Sequence, residues 1–250
     1  MILKDKDRII FLARDGYLPA KAFEIYSDYF NMDVQIEYMQ ASRRALMPLM
    51  VKDKINFYQL PIEYKGHSPK TLLEVLQFAI EDDVSDKLEE IVKKNGFIPH
   101  KRFETLAELH EFIDFFIEKI YSFRKHEESK KLIQEYYKNI QKNDIIFDMG
   151  YSGRIHSAIC KAINFPIDAM FMHEDYTCSV QMRRFSRFDI ASFYNYRPSV
   201  TGLIREYIFS DTKGSCVSFM YENDKVVPIF EKKHEDYLSR YIVSSLQNGA

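Results

Sequence analysis

Two short apolar runs constrain the fold of this chain more than any other feature. Arg8-Ile9-Ile10-Phe11-Leu12-Ala13 stops at Arg14-Asp15-Gly16, and Asp144-Ile145-Ile146-Phe147-Asp148 stops at Met149-Gly150-Tyr151-Ser152-Gly153. A continuous apolar run keeps no polar face for water, so each reads as a strand of a parallel sheet, buried on both faces. A helical pattern follows each of them. After the first come Leu18, Ala22, Phe23, Ile25 and Tyr26, with Pro19 tolerated in the opening turn; after the second comes the segment 154–163. Segment 34–39 alternates as a strand and runs into Ala41-Ser42-Arg43-Arg44, which completes a βαβ opening. Segment 167–172 is a further strand, ending at His173-Glu174-Asp175. Beyond it, 190–194 reads as a strand, 201–209 as a helix, and 216–221 with 225–230 as a β-hairpin around Glu222-Asn223-Asp224. A polar helix is expected from about residue 233.

Between the second and third strands, at about 71–141, the pattern turns helical. Leu72, Leu73, Val75, Leu76, Phe78 and Ala79 precede Leu106, Leu109, Phe112, Ile113, Phe116 and Ile120, and Asn95-Gly96 and Ile98-Pro99 interrupt the block. At least three helices are therefore expected in one long crossover, an inserted cap within a single domain spanning 1–250. Its Phe and Tyr residues recur at helical spacing, which marks them as core rather than as a base-stacking platform.

Charge and cysteine content narrow the function classes. Lys and Arg number 35 against 37 Asp and Glu, so the chain has neither the basic excess of a nucleic-acid binder nor an acidic tail. Nucleic acid is not expected as a partner, although Arg183-Arg184-Phe185-Ser186-Arg187-Phe188 is locally basic and aromatic. Cys160, Cys178 and Cys216 are too scattered for a disulfide framework or a zinc site, which favours a reducing, cytoplasmic location. No apolar stretch reaches the roughly 20 residues of a membrane helix, and the N-terminus lacks the apolar core of a signal peptide. Asp5-Lys6-Asp7 has the spacing of a phosphatase nucleophile pair but no strand leading into it, so it reads as a solvated charge run. His100, His110, His126 and His234 lie in charged surroundings and read as surface residues.

In a parallel α/β sheet, ligands collect beyond the carboxyl ends of the strands. Three loops fall there: Ala13-Arg14-Asp15-Gly16, Ala41-Ser42-Arg43-Arg44, and Asp148-Met149-Gly150-Tyr151-Ser152-Gly153-Arg154. The third combines glycines, a hydroxyl and a helix start, the ingredients of a phosphate cradle. Arg14, Arg43 and Arg44 add guanidinium groups suited to phosphate oxygens. Against these stand plainer readings: a tight turn without a ligand, arginines in surface ion pairs, and Asp15 capping the helix that begins near Tyr17. Glu174 follows a strand and His156 opens a helix, facing either a ligand or water; both are candidates for acceptor contact or for a base.

Ile145-Ile146-Phe147-Asp148-Met149-Gly150-Tyr151-Ser152-Gly153 resembles the phosphoribosyl-diphosphate signature of type I phosphoribosyltransferases, and the Ala-Arg-Asp-Gly turn resembles that fold's pyrophosphate loop. More specifically, Phe-Leu-Ala-Arg-Asp-Gly-Tyr, Ser-Arg-Arg-Ala-Leu and Asp-Met-Gly-Tyr-Ser-Gly, in this order, resemble a glycosyltransferase domain of bacterial surface-polysaccharide proteins. That domain often accompanies a haloacid-dehalogenase-type phosphatase and is associated with building ribofuranose into glycans. In weaker form the resemblance runs from about Arg8 to Phe230, taking in Glu206 and the Lys213-Gly214-Ser215 turn. It departs at Phe147, where the family has the first acid of a pair, and at Arg154, where a small hydroxyl residue is usual.

The resemblance implies a type I phosphoribosyltransferase-like α/β fold, with a mainly parallel sheet flanked by helices, a helical insertion and a C-terminal β-hairpin. It implies transfer of a 5-phosphoribosyl group from phosphoribosyl diphosphate to a sugar hydroxyl, with Mg²⁺ as cofactor and inversion at the anomeric carbon. Asp148 and Asp15 would be catalytic. Arg14, Gly16, Ser42, Arg43, Arg44, Gly150, Tyr151, Ser152, Gly153 and Arg154 would bind the donor. The acceptor would be a glycan, free or lipid-linked, handled in the cytoplasm or at the inner face of the membrane, with a phosphatase as partner. Two rival readings stand beside this one: transfer to a nucleobase or other small acceptor, and a non-catalytic phosphate-binding scaffold for glycan assembly.

Overall fold

The computed structural model of the chain describes residues 6–51, 55–60, 62–150, 152–174, 190–195, 208–211, 213–231 and 245. Two compact units make up the chain: Met1–Leu46 together with Gln134–Ala250, and Met47–Ile133.

The first unit is built on a five-stranded sheet of order β2-β1-β3-β4-β5, with β1 at Arg8–Leu12, β2 at Gln35–Met39, β3 at Asp144–Asp148, β4 at Asp168–Glu174 and β5 at Ile190–Asn195. Every neighbouring pair is parallel. The α/β fold with a mainly parallel sheet, expected from the sequence, is the one the chain adopts. Burial explains the apolar runs: all five residues of β3 and the last four of β1 are buried, whereas the edge strand β2 is covered only in part. Ile9, Phe11, Ile145, Phe147 and Met149 pack on one face beneath Ala20 of α1 (Tyr17–Tyr29). At the opposite end of the strands from the candidate loops, Arg8 sits between Asp144 of β3 and Glu37 of β2 and ties three adjacent strands in register.

Helix α1 closes the first βαβ crossover. The hairpin forms from β6 (Cys216–Glu222) and β7 (Lys225–Phe230), and Asn223 and Asp224 turn through positive φ of 48° and 61°. Both side chains tolerate that left-handed backbone, which matches the twist of the two strands. Lys6 does not lie free in a solvated charge run; its ammonium pairs with Asp168 at the start of β4. Of the helix expected at 201–209, residues 201–207 lie outside the described residues, as do most of those after 231 and the basic-aromatic run at 183–188.

The second unit is helical. Helices α2 (Met47–Met50), α3 (Ile55–Tyr58), α4 (Pro69–Val75), α5 (Asp82–Ser85), α6 (Leu88–Lys94), α7 (Leu106–Lys119) and the start of α8 (Phe123–Tyr137) follow one another between β2 and β3. Ser68 and Thr71 form a reciprocal cap that starts α4, and Thr105 accepts the Glu108 N–H at the start of α7. Leu109, Phe112, Ile113 and Phe116 line one face of α7 and fill this unit's core with Phe57, Leu72 and Leu76. Phe103, Phe112, Phe115 and Phe116 are core, as their spacing implies, whereas Phe123 at the start of α8 is exposed. His126 corrects the surface reading: it is 1% exposed, with Nε2 2.9 Å from the Pro48 carbonyl and Nδ1 3.0 Å from the Tyr121 hydroxyl. Among the described residues no helix is long and apolar enough to cross a membrane.

Candidate active site

Because the strands are parallel, the loops that leave β1, β2 and β3 emerge at the same end of the sheet. The chain steps from β1 to β2 on one side and returns through the helical unit to β3 on the other, so the switch of direction falls between β1 and β3. A crevice opens at such a point because adjacent crossovers diverge there. A cavity of about 250 Å³ occupies it. Arg14 and Asp15 from the first loop, Ser42 and Arg43 from the second, and Asp148, Gly150, Ser152, Gly153 and Arg154 from the third all line it. Tyr151 lies outside the described residues.

Each loop has a local reason for its shape. After β1, the Ala13–Arg14 peptide is cis, and the Gly16 N–H turns back to the Leu12 carbonyl at 2.9 Å. A Cβ at Gly16 would lie 2.5 Å from that same oxygen, so only glycine closes the turn. Gly16 is also the N-cap position of α1 and offers it no side-chain bond; Asp15 does not cap the helix. Instead Asp15 Oδ1 accepts the Ser210 hydroxyl at 2.5 Å.

After β3, the Gly150 N–H donates to Asp148 Oδ1 at 2.8 Å. Gly153, at φ 65° and ψ 11°, swings the chain into α9 (Arg154–Ile163). With no side chain at its N-cap, this helix cannot cap its own first N–H groups from that position, which suits an anion there.

Two expected donor-site residues take structural partners. The Ser42 hydroxyl donates to the Cys216 carbonyl at 2.6 Å and accepts the Ala45 N–H at 2.9 Å, so it ties the second loop to the hairpin while lining the cavity. Arg44 is not brought to the cavity; its guanidinium pairs with Glu231 at 3.6 Å. For His156 the expectation of a ligand-facing or water-facing ring is overturned. The ring is 0% exposed, with Nε2 2.8 Å from the Ile167 carbonyl and the Phe171 ring beside it, and burial pushes its pKa down to about 4. In the first turn of α9 it falls on the helix face that is buried with Ile159 and Cys160, so it points into the core rather than at the phosphate loop. Glu174 ends β4, paired in register with Asn195.

The electrostatics favour a bound anion beside a bound cationic or hydroxylic group. Three arginines, Arg14, Arg43 and Arg154, line the cavity together with two carboxylate residues, Asp15 and Asp148. Burial pushes Asp148 up to about 6; the Gly150 N–H opposes the rise and the charge of Asp15 adds to it. Asp15 is also raised by burial, against the Ser210 hydrogen bond and the Arg14 charge.

Several residues of this site carry little or no mark in the sequence. Ser215, ahead of β6, lines the cavity. Ser210 grips Asp15, the Asp211 N–H donates to the Arg14 carbonyl at 3.1 Å, and the Tyr38 hydroxyl reaches the same oxygen at 3.3 Å. Only the Lys213-Gly214-Ser215 turn carried a local signal. Ser210 is 195 positions from Asp15, and nothing in its own neighbourhood marks it. No family model matches the chain, and no curated protein matches it.

Proposed function

We propose that this chain transfers a 5-phosphoribosyl group from phosphoribosyl diphosphate to a sugar hydroxyl of a bacterial surface glycan, with inversion at the anomeric carbon. The observation that carries this reading is the convergence of the Arg14-Asp15, Ser42-Arg43 and Asp148-to-Arg154 loops on one cavity at the sheet's switch point. A donor with phosphate groups at both ends of a ribose needs two anion sites separated by a place for the sugar. Arg14 and the turn it opens would take the diphosphate. Ser152, Gly153 and the start of α9 would take the 5-phosphate, with Arg154 beside them.

Between them, Asp148 would face the ribose. As the bond from the anomeric carbon to the diphosphate oxygen breaks, the electron pair leaves with the diphosphate and positive charge grows on the ring. A buried carboxylate at that place stabilises the ring more than it would in water. The acceptor oxygen bonds to the opposite face of the carbon and gives up its proton, for which Glu174, at the end of β4, is the candidate. Mg²⁺ fits the donor set, because the cavity offers carboxylate oxygens and such an ion is bound through one or two carboxylates plus substrate phosphates. Asp148 would hold it, and the ion would offset charge on the leaving group.

A lipid-linked acceptor would place the reaction at the inner face of the membrane, and a phosphatase partner would then remove the 5-phosphate. The test is incubation with phosphoribosyl diphosphate, Mg²⁺ and lipid-linked or synthetic glycans, read by mass spectrometry. A phosphopentosyl increment on the glycan is the expected result. Increments only on nucleobases would move the activity to a small acceptor, and donor binding without turnover would leave a scaffold.

A further inference from the structure

The Arg14 carbonyl is held by three donors: the Tyr17 N–H at 3.1 Å, the Asp211 N–H at 3.1 Å and the Tyr38 hydroxyl at 3.3 Å. A carbonyl so occupied cannot rotate. In a trans peptide the N–H points to the side opposite the C=O, so fixing the Arg14 oxygen fixes the direction of the Asp15 N–H. The Gly16 N–H is already spent on Leu12 and the Ala13 N–H on Met39, which leaves the Arg14 and Asp15 N–H groups as this turn's main-chain donors for an anion, and the Asp15 N–H is the one that the held carbonyl aims. One residue along, the Ser210 hydroxyl holds the Asp15 carboxylate by Oδ1, so its negative charge is drawn toward Ser210. Ser210 is 7% exposed, so water does not compete for that bond. Two consecutive residues, 210 and 211, thus grip two consecutive residues, 14 and 15, one by a side chain and one by the backbone.

We infer that Ser210 and Asp211 are positioning residues that shape the diphosphate side of the donor site, by aiming the Asp15 N–H at the leaving group and holding the Asp15 carboxylate off it. The inference rests on the phosphoribosyl-transfer reading, and it makes a demand a merely structural contact would not. Loss of the Ser210 hydroxyl must harm recognition of diphosphate and spare recognition of the 5-phosphate, which a different loop holds.

Ser210→Thr and Ser210→Val separate these effects, because the two side chains share a shape and differ by the hydroxyl; Ser210→Ala supplies a smaller deletion should the valine not fold. Binding of inorganic diphosphate and of ribose 5-phosphate, each with Mg²⁺, is measured by calorimetry. The valine or alanine variant should lose roughly ten- to a hundredfold in diphosphate affinity, the range expected for a hydrogen bond to a charged group. Ribose 5-phosphate affinity should stay within about twofold, and the threonine variant should match the unmodified protein for both ligands. Equal losses for the two ligands, an undiminished diphosphate affinity, or a threonine variant as impaired as the valine would each overturn the inference. An unmodified protein that binds neither ligand would instead remove the phosphoribosyl reading, and the inference with it.

Discussion

Replacing Asp148 by Asn should make the protein more stable while it removes turnover. The carboxylate is buried at the end of β3, and its pKa rises from 3.8 to about 6. A shift of about two units corresponds to roughly 3 kcal/mol, at about 1.4 kcal/mol per unit. The sign follows from proton binding: between pH 4 and 6 the folded state holds a proton that the unfolded chain has released, so stability falls as pH rises through that window. Above about pH 7 the whole cost is present. Asparagine has no charge to desolvate, and its Oδ1 can still accept the Gly150 N–H, although it gives up the stronger bond of a charged acceptor. The net gain at pH 7.5 is therefore set at about 1–3 kcal/mol. Urea unfolding of both proteins at pH 7.5 and pH 4.5, without ligand and with a chelator, measures it. The difference should shrink toward zero at the lower pH. An Asn variant less stable than the parent at pH 7.5, or a difference that ignores pH, would refute the desolvation argument. On the functional side, turnover should drop by about 10²–10³, the usual cost of losing one preorganised electrostatic group. Parental turnover in the variant would exclude Asp148 from charge stabilisation.

Gly153→Ala places a Cβ at φ 65° and should cost about 1–2 kcal/mol, seen as a lower urea midpoint, together with weaker ribose 5-phosphate binding by calorimetry. Arg14→Ala should weaken diphosphate binding by about tenfold or more, whereas Arg44→Ala, whose guanidinium pairs with Glu231, should leave it within about twofold; equal losses would contradict the geometry. His126→Ala strips partners from the Pro48 carbonyl and the Tyr121 hydroxyl and should destabilise the helical unit by about 2–4 kcal/mol in denaturant. Burial lowers the pKa of His126, so the stability its neutral ring contributes is present above about pH 6.5 and is lost as pH falls below it. The pH slope of unfolding near 6 should flatten in the alanine variant.

The sequence by itself determined where the strands lie and which loops end them. The runs at β1 and β3 are apolar without interruption because central parallel strands are covered on both faces, and that is written in consecutive residues. The order of the loops, their glycines and their arginines were legible for the same reason, since a turn's demands fall on the residues that make it. The helical face of α7 was equally plain from the spacing of Leu109, Phe112, Ile113 and Phe116. Partner choice was not legible. Arg43 and Arg44 are adjacent and chemically identical, yet the fold brings one to the cavity and the other to Glu231 beyond the hairpin. His126 sits in a run of charged residues and His156 just past a glycine loop, and both are sealed in the interior, because a helix decides burial by which way a position faces rather than by what its neighbours are. Asp15 looks like a helix cap until Ser210 arrives from 195 positions away to take its oxygen. Local pattern fixes periodicity and turn chemistry. Which donor meets which acceptor waits on the sheet that gathers distant loops at one end.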